Sequence, residues 1–259
     1  MQVNNNKQFV CLSGLPRSGS TLLSAILSQN PRIHAEGNSP VCQIMWDIFV
    51  SCTTSASEQI IANNKSKSIF DILSNIPNLY YKDIPNSENI IIDKSRSWTL
   101  ESNVNILKTF INKNIKIIVL ERPMNEIIKS FIKLYQKNKQ DFNVSNILKP
   151  MSEPLMRSFS GLQWAKNNNL ENNFLFINYN ELVSNPKKQI DLIYAFLNLD
   201  YFEHQFENIQ VKYPENDNIY NLQGMHSIRN SLEIIENNIE LDTEIIEICR
   251  NYDLLLLNK

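Results

Sequence analysis

The chain has 259 residues, 42% of them apolar and 20% charged, a composition that suits one sizeable α/β domain and excludes a disordered polymer. The formal net charge of −2 excludes a broadly basic surface, so neither nucleic acid nor an anionic membrane is an expected partner. An anionic ligand must instead be held by a few placed groups.

The polar, Asn-rich start from Met1 to Gln8 lacks the charged-then-apolar order of a signal peptide. No apolar run approaches the roughly 20 residues of a membrane span. The four cysteines (Cys11, Cys42, Cys52 and Cys249) form no CxxC pair, and there are three histidines. Structural zinc is therefore not expected, and buried free thiols in a reducing, cytoplasmic setting are.

The first apolar run, Phe9 to Leu12, is β-prone and ends in Ser13-Gly14. The stretch Thr21 to Gln29 then places Leu22, Leu23, Ile26 and Leu27 on one helical stripe before Asn30-Pro31 stops it. A short strand over Ile33 to Ala35 follows. Ile90 to Ile92, ending at Asp93, and Ile115 to Leu120, ending at Glu121-Arg122-Pro123, are continuous apolar runs suited to parallel strands buried on both faces. Met124 to Tyr135 is helical through Ile127, Ile128, Phe131 and Leu134. Phe174 to Ile177 is a further strand, and Pro186 opens a helix that runs to Leu197. Ser231 onward, through Leu232, Ile234, Ile235, Ile239, Leu241, Ile245 and Ile246, is expected to be helical. Asn63 to Lys67, Gln136 to Gln140 and Glu215 to Asn221 are expected loops. Strand–helix alternation of this kind predicts a doubly wound, P-loop-type parallel sheet flanked by helices, spanning residues 1–259 as a single domain. Ligands should collect beyond the C-terminal strand ends.

The sharpest chemical signal is Ser13-Gly14-Leu15-Pro16-Arg17-Ser18-Gly19-Ser20-Thr21, between the first strand and the first helix. Gly14 and Gly19 have the separation of the P-loop pattern GxxxxGK[ST], and Thr21 takes its hydroxyl position, but Ser20 replaces the lysine. A nucleotide triphosphatase needs that lysine at the β/γ-phosphates. Here Arg17 lies inside the loop instead. The glycines let the backbone wrap an anion, with amides from Ser18 to Thr21 turned inward at a helix N-terminus and Arg17 adding a permanent charge and a planar donor fork.

Leu15 to Leu23 resembles the 5′-phosphosulfate loop of sulfotransferases dependent on 3′-phosphoadenosine-5′-phosphosulfate (PAPS), most closely the PRSGTT version of tyrosylprotein sulfotransferases and related bacterial and marine proteins. The resemblance implies that Arg17, Ser18, Gly19, Ser20 and Thr21 bind the donor's phosphosulfate without a metal. Val119 to Ser130 is similar to the family's 3′-phosphate motif, with Arg122 ending a strand and Ser130 in the next helix, although Pro123 follows the arginine directly. Phe174 to Pro186 is similar to the family segment RYEDLVxDP, which implies that Tyr179 lies near the adenine. Gly224-Met225-His226-Ser227-Ile228-Arg229 falls where relatives close a loop over the nucleotide, so Arg229 is a further phosphate contact, with His226 or Ser227 beside it.

For catalysis, Arg17 is placed to meet the charge of the leaving nucleotide, and Lys94 in Asp93-Lys94-Ser95-Arg96 matches the assisting lysine of tyrosylprotein sulfotransferases. Arg96 is a weaker candidate for an acidic acceptor or the donor. A general base is needed at the acceptor hydroxyl. The relatives' glutamate falls on Asn38, which takes no proton. Glu36 is therefore the expected base, with His34 as the alternative, since cytosolic relatives use histidine. Met45, Trp46, Phe49 and Trp98 are candidates for the acceptor cleft.

The expected function is sulfuryl transfer from PAPS, leaving the desulfated product PAP, to a hydroxyl or amine of a small-molecule, carbohydrate or peptide acceptor. A homodimer is one option for assembly. Two other readings stay open. One is a P-loop nucleotide kinase or NTPase using Asp93 to hold magnesium, and the other is a PAPS/PAP-binding protein without turnover.

Overall fold

A computed structural model describes residues 7–169, 172–229, 231–233 and 238–257. Five strands form one parallel sheet: β1 (Gln8–Gly14), β2 (Ile33–His34), β3 (Ile90–Lys94), β4 (Lys116–Glu121) and β5 (Phe174–Asn178). Their order across the sheet is β2-β3-β1-β4-β5. From β1 the chain crosses to one edge, and from β4 it crosses to the other. The crevice for ligands therefore opens between β1 and β4, where the winding reverses.

Successive strand residues point to opposite faces, and each face has its own core. Val10, Leu12, Ile90, Ile92, Ile118 and Leu120 pack on one side against α1 (Ser20–Leu27), α9 (Tyr179–Ser184) and α10 (Pro186–Leu197). Cys11, Ile91, Ile117, Val119 and Phe174 pack on the other. That side is covered by α2 (Val41–Thr53), α4 (Ser66–Tyr80), α5 (Glu101–Phe110), α6 (Met124–Lys137), α8 (Met156–Asn167) and α11 (Thr243–Leu257). The short α3 (Ser57–Ala62) and α7 (Val144–Ile147) complete the helices. The stripe read from α1 is what fixes the phosphate loop: Leu23, Ile26 and Leu27 are fully buried, each worth about 1.5–3 kcal/mol.

The C-terminal helix begins at Thr243, not at Ser231. Ser231 instead forms an isolated antiparallel bridge to Glu207, and Ile234 and Ile235 lie outside the described residues. Cys11, Cys42 and Cys249 are buried free thiols, and Cys52 is half-buried. Among the described residues no helix is long and apolar enough to cross a membrane.

Strand register brings the chemistry to one edge. Leu12 pairs with Lys94, Gly14 with Leu120, and Glu121 with Asn178. The loop after β1, the end of β3, Arg122 after β4 and Tyr179 after β5 thus share one end of the sheet.

Candidate functional site

Gly14 has φ 143°, and a Cβ there would lie 2.5 Å from the carbonyl oxygen of Leu120, so the loop leaves the sheet through a position only glycine fits. Gly19, with φ 96°, caps α1 without a side-chain hydrogen bond. The first helical bond is Leu23 N–H to Gly19 O at 3.0 Å. The amides of Gly19, Ser20, Thr21 and Leu22 ahead of it have no intrahelical acceptor, the kind of helix end at which an anion can be held. Ser18 does not join them. Its amide donates to Leu15 O at 3.2 Å and its side chain is buried, so the cup is built from Gly19 onward.

Arg17 adopts the left-handed conformation at φ 64°. Its Nε donates to Ser130 Oγ at 3.1 Å and its Nη1 to the carbonyl of Met225. The guanidinium therefore spans from the phosphate loop to α6 and to the segment after residue 211, rather than lying in bulk water. Burial, then the nearby Arg122 charge, pulls its pKa below the ordinary arginine value.

Arg122 donates from Nη1 to the carbonyl of Arg17 at 3.0 Å and from Nε to Glu126 Oε2 at 2.9 Å. Its guanidinium lies over the Tyr179 ring, 4.2 Å from the centroid, in cation–π geometry. Tyr179 in turn packs on Gly19, where a Cβ would fall 2.5 Å from its Cδ2. Arg17, Gly19, Ser20, Thr21, Arg122, Ser130, Tyr179 and Arg229 all line one cavity of about 550 Å³, within the range of small-molecule sites. Lys94 and Arg96 line the same cavity.

Lys94 ends β3 with its side chain 4% exposed, and Nζ donates to Glu215 Oε1 at 2.9 Å. Burial lowers its pKa, opposed by the Glu215 charge. The preceding Asp93 points the opposite way. It is fully buried and accepts from Tyr81 Oη at 2.8 Å, Trp98 Nε1 at 2.7 Å and Ser39 Oγ. It is thus committed to the core and absent from the cavity lining. Met45 and Trp98 are also core residues, and none of Met45, Trp46, Phe49 and Trp98 lines the cavity.

Glu36 does not reach the cavity. Its Oε2 lies 3.2 Å from His34 Nε2, beside a separate crevice of about 10 Å³. His34 is itself buried, with Nδ1 2.8 Å from Glu88, and it holds Glu36 back. Asn38 reaches the cavity instead, through an isolated parallel bridge to Lys94.

The imidazole brought to the cavity is that of His226. Its Nδ1 lies 2.6 Å from Asp217 Oδ1, and its backbone N–H donates to Asp217 Oδ2 at 3.2 Å. A carboxylate only accepts, so Nδ1 carries a proton, and Nε2 is the ring nitrogen turned toward Asn38 and Glu215. That nitrogen is 3.4 Å from Asn38 Nδ2 and 3.5 Å from Glu215 Oε2. Burial pushes the Asp217 carboxyl up, but the amide and ring of His226 outweigh it and hold it below the usual carboxylate range. Glu215 and Asp217 fall in what the sequence marks only as a polar loop. The signal that could have found them is an acidic pair shortly before His226.

Among known proteins, a family model described as the sulfotransferase family matches residues 10–203. The chain belongs to the sulfotransferase family. Curated protein sequences contain no match to it. Among solved structures, the sulfotransferase domain from the curacin biosynthetic pathway aligns with this sulfotransferase at TM-score 0.55 and 17% identity, covering 95% of this chain and 97% of that one. The sulfotransferase domain from the Synechococcus PCC 7002 olefin synthase aligns at TM-score 0.48 and 17% identity, over 97% and 96%. Mouse sulfotransferase SULT7A1, solved with PAP, aligns at TM-score 0.49 and 17% identity, over 96% and 83%. The first of these likenesses is one of fold: this sulfotransferase has the α/β sulfotransferase architecture.

Proposed function

We propose that this sulfotransferase moves a sulfuryl group from PAPS to a hydroxyl or amine acceptor. The observation that carries the reading is the convergence of Arg17, the Gly19–Leu22 amides and Arg122 on one cavity, tied together by the Arg122–Arg17 hydrogen bond. PAPS is anionic at both ends of its nucleotide. The cup with Arg17, Lys94 and Arg96 suits the phosphosulfate, and Arg122 with Ser130 suits the 3′-phosphate, while the Tyr179 face suits the adenine.

In the proposed reaction the acceptor oxygen or nitrogen attacks sulfur in line. The bond from sulfur to the 5′-phosphate oxygen breaks, and its electron pair stays on that oxygen. Arg17 and Lys94 neutralise the charge that develops there. His226 Nε2 takes the acceptor's proton, and Asp217 is the positioning residue that fixes the ring's tautomer. The role first expected of Glu36 passes to His226 because Glu36 is held outside the cavity.

The nucleotide kinase or NTPase reading loses support, since Ser20 supplies no cation at the lysine position and Asp93 is turned into the core. The reading as a binder without turnover is separated by assay. Incubation with PAPS labelled with radioactive sulfur and a panel of alcohols, phenols, amines, sugars and peptides is expected to give acceptor-linked label and stoichiometric PAP. PAP binding without transfer to any acceptor class would leave the binding protein as the better account.

A further inference from the structure

Glu215 sits where two groups assigned to the chemistry meet. Its Oε1 accepts from Lys94 Nζ at 2.9 Å, and its Oε2 accepts from Asn38 Nδ2 at 3.3 Å and lies 3.5 Å from His226 Nε2. The carboxylate thus engages Lys94 and His226 together. The fit is built in. A Cβ on Gly37 would lie 2.1 Å from Glu215 Cγ, so the absence of a side chain at residue 37 makes room for Glu215. The segment carrying it is fastened on both sides. Tyr213 Oη donates to Glu88 at 2.9 Å, Lys212 Nζ donates to the same carboxylate at 2.9 Å, and Arg17 Nη1 donates to Met225 O.

A sulfuryl group carries the same sign of charge as a carboxylate and seeks the same donors. Two anions cannot share one buried ammonium without strong repulsion, because the surroundings screen them poorly. We propose that Glu215 is an internal gate: its carboxylate, which lines the crevice behind Lys94 rather than the cavity itself, ties up Lys94 and the Nε2 of His226, and loading of the sulfated donor draws them away from it. This inference rests on the PAPS reading above. It adds that the site distinguishes PAPS from PAP through the parting of Lys94 and His226 from the chain's own carboxylate.

The test compares equilibrium binding of PAPS and PAP, without acceptor, to the wild type, Glu215→Gln and Gly37→Ala. The glutamine keeps the shape and removes the charge, and the alanine keeps the charge and removes the room. Both variants are expected to tighten PAPS by at least about tenfold and to change PAP by less than about threefold. Hydrogen exchange of the wild-type segment 211–217 is expected to speed up with PAPS and not with PAP. Unchanged or weaker PAPS binding in both variants, or a segment that PAPS protects, would overturn the gate. If Glu215→Gln lost turnover with its PAPS affinity intact, Glu215 would be part of the chemistry rather than a gate. A wild type that binds neither nucleotide would sink the PAPS reading itself, and the gate with it.

Discussion

The guanidinium of Arg122 donates to the main-chain carbonyl of Arg17 at 3.0 Å, so a residue at the end of β4 holds the phosphate loop that follows β1. Arg17 is kept in a left-handed conformation that costs a non-glycine residue of order 1–3 kcal/mol, and this bond is one of the contacts that hold it there. The two segments resembling sulfotransferase motifs are therefore one mechanical unit.

Arg122→Ala should accordingly weaken PAP by about 1.5–3 kcal/mol, the range for a charged hydrogen-bond partner. AMP, which lacks the 3′-phosphate, should lose clearly less. Calorimetric titration of both nucleotides checks this, and equal losses would assign Arg122 to loop support alone.

Gly19→Ala should remove nucleotide binding while leaving the fold. The new Cβ meets the Tyr179 ring at 2.5 Å and must adopt φ 96°, so Tyr179 is driven off the loop. We expect PAP affinity to fall at least about tenfold with far-ultraviolet circular dichroism unchanged, a cost of the size typical of a strained left-handed residue. Retained affinity would show that the Tyr179–Gly19 contact is not needed.

His226→Ala should lower kcat by about 10²–10⁴-fold, the usual contribution of a general base, with PAP affinity largely kept. Asp217→Asn should lower kcat and leave KM for PAPS nearly unchanged, because Asp217 acts through the ring of His226. Wild-type kcat in His226→Ala would return the search for the base to other residues.

The Asp217–His226 contact also sets a pH dependence. The folded-state pKa of Asp217 lies below the ordinary value of 3.8, so its contribution to stability is fully present above that value. It is lost as pH falls through the depressed folded value. The difference in Tm between wild type and Asp217→Asn should shrink as pH falls below about 4 and the carboxylate takes up its proton. A difference that persists unchanged into strong acid would contradict the assigned contact.

The sheet was legible because its strands are continuous apolar runs, as in Ile117 to Leu120, and because α1, α6 and α10 carry clean helical stripes. The helices α2, α4 and α8 escaped notice for local reasons. Neither α2 nor α8 has an acidic first turn or a side-chain cap, α8 carries Gly161, and Pro77 stands inside α4. Of the site, the loop from Gly14 to Thr21 and Arg122 with Ser130 could be read from residue type and spacing. The base could not. Chain proximity favours Glu36 after α1, but the buried His34 captures that side chain, and Asn38 meets His226 from 188 residues away. Such a return depends on how the segment after residue 211 folds over the sheet, which no local period encodes.

In the proposed reading, an arginine and a cup of amides hold a sulfated nucleotide without the P-loop lysine. Calorimetric titration with PAP in the presence of EDTA, beside ATP with magnesium, tests it most directly. PAP should bind without metal and more tightly than ATP, and Arg17→Ala should abolish the signal. PAP that fails to bind while ATP with magnesium does, or PAP that binds Arg17→Ala as well as wild type, would contradict the account.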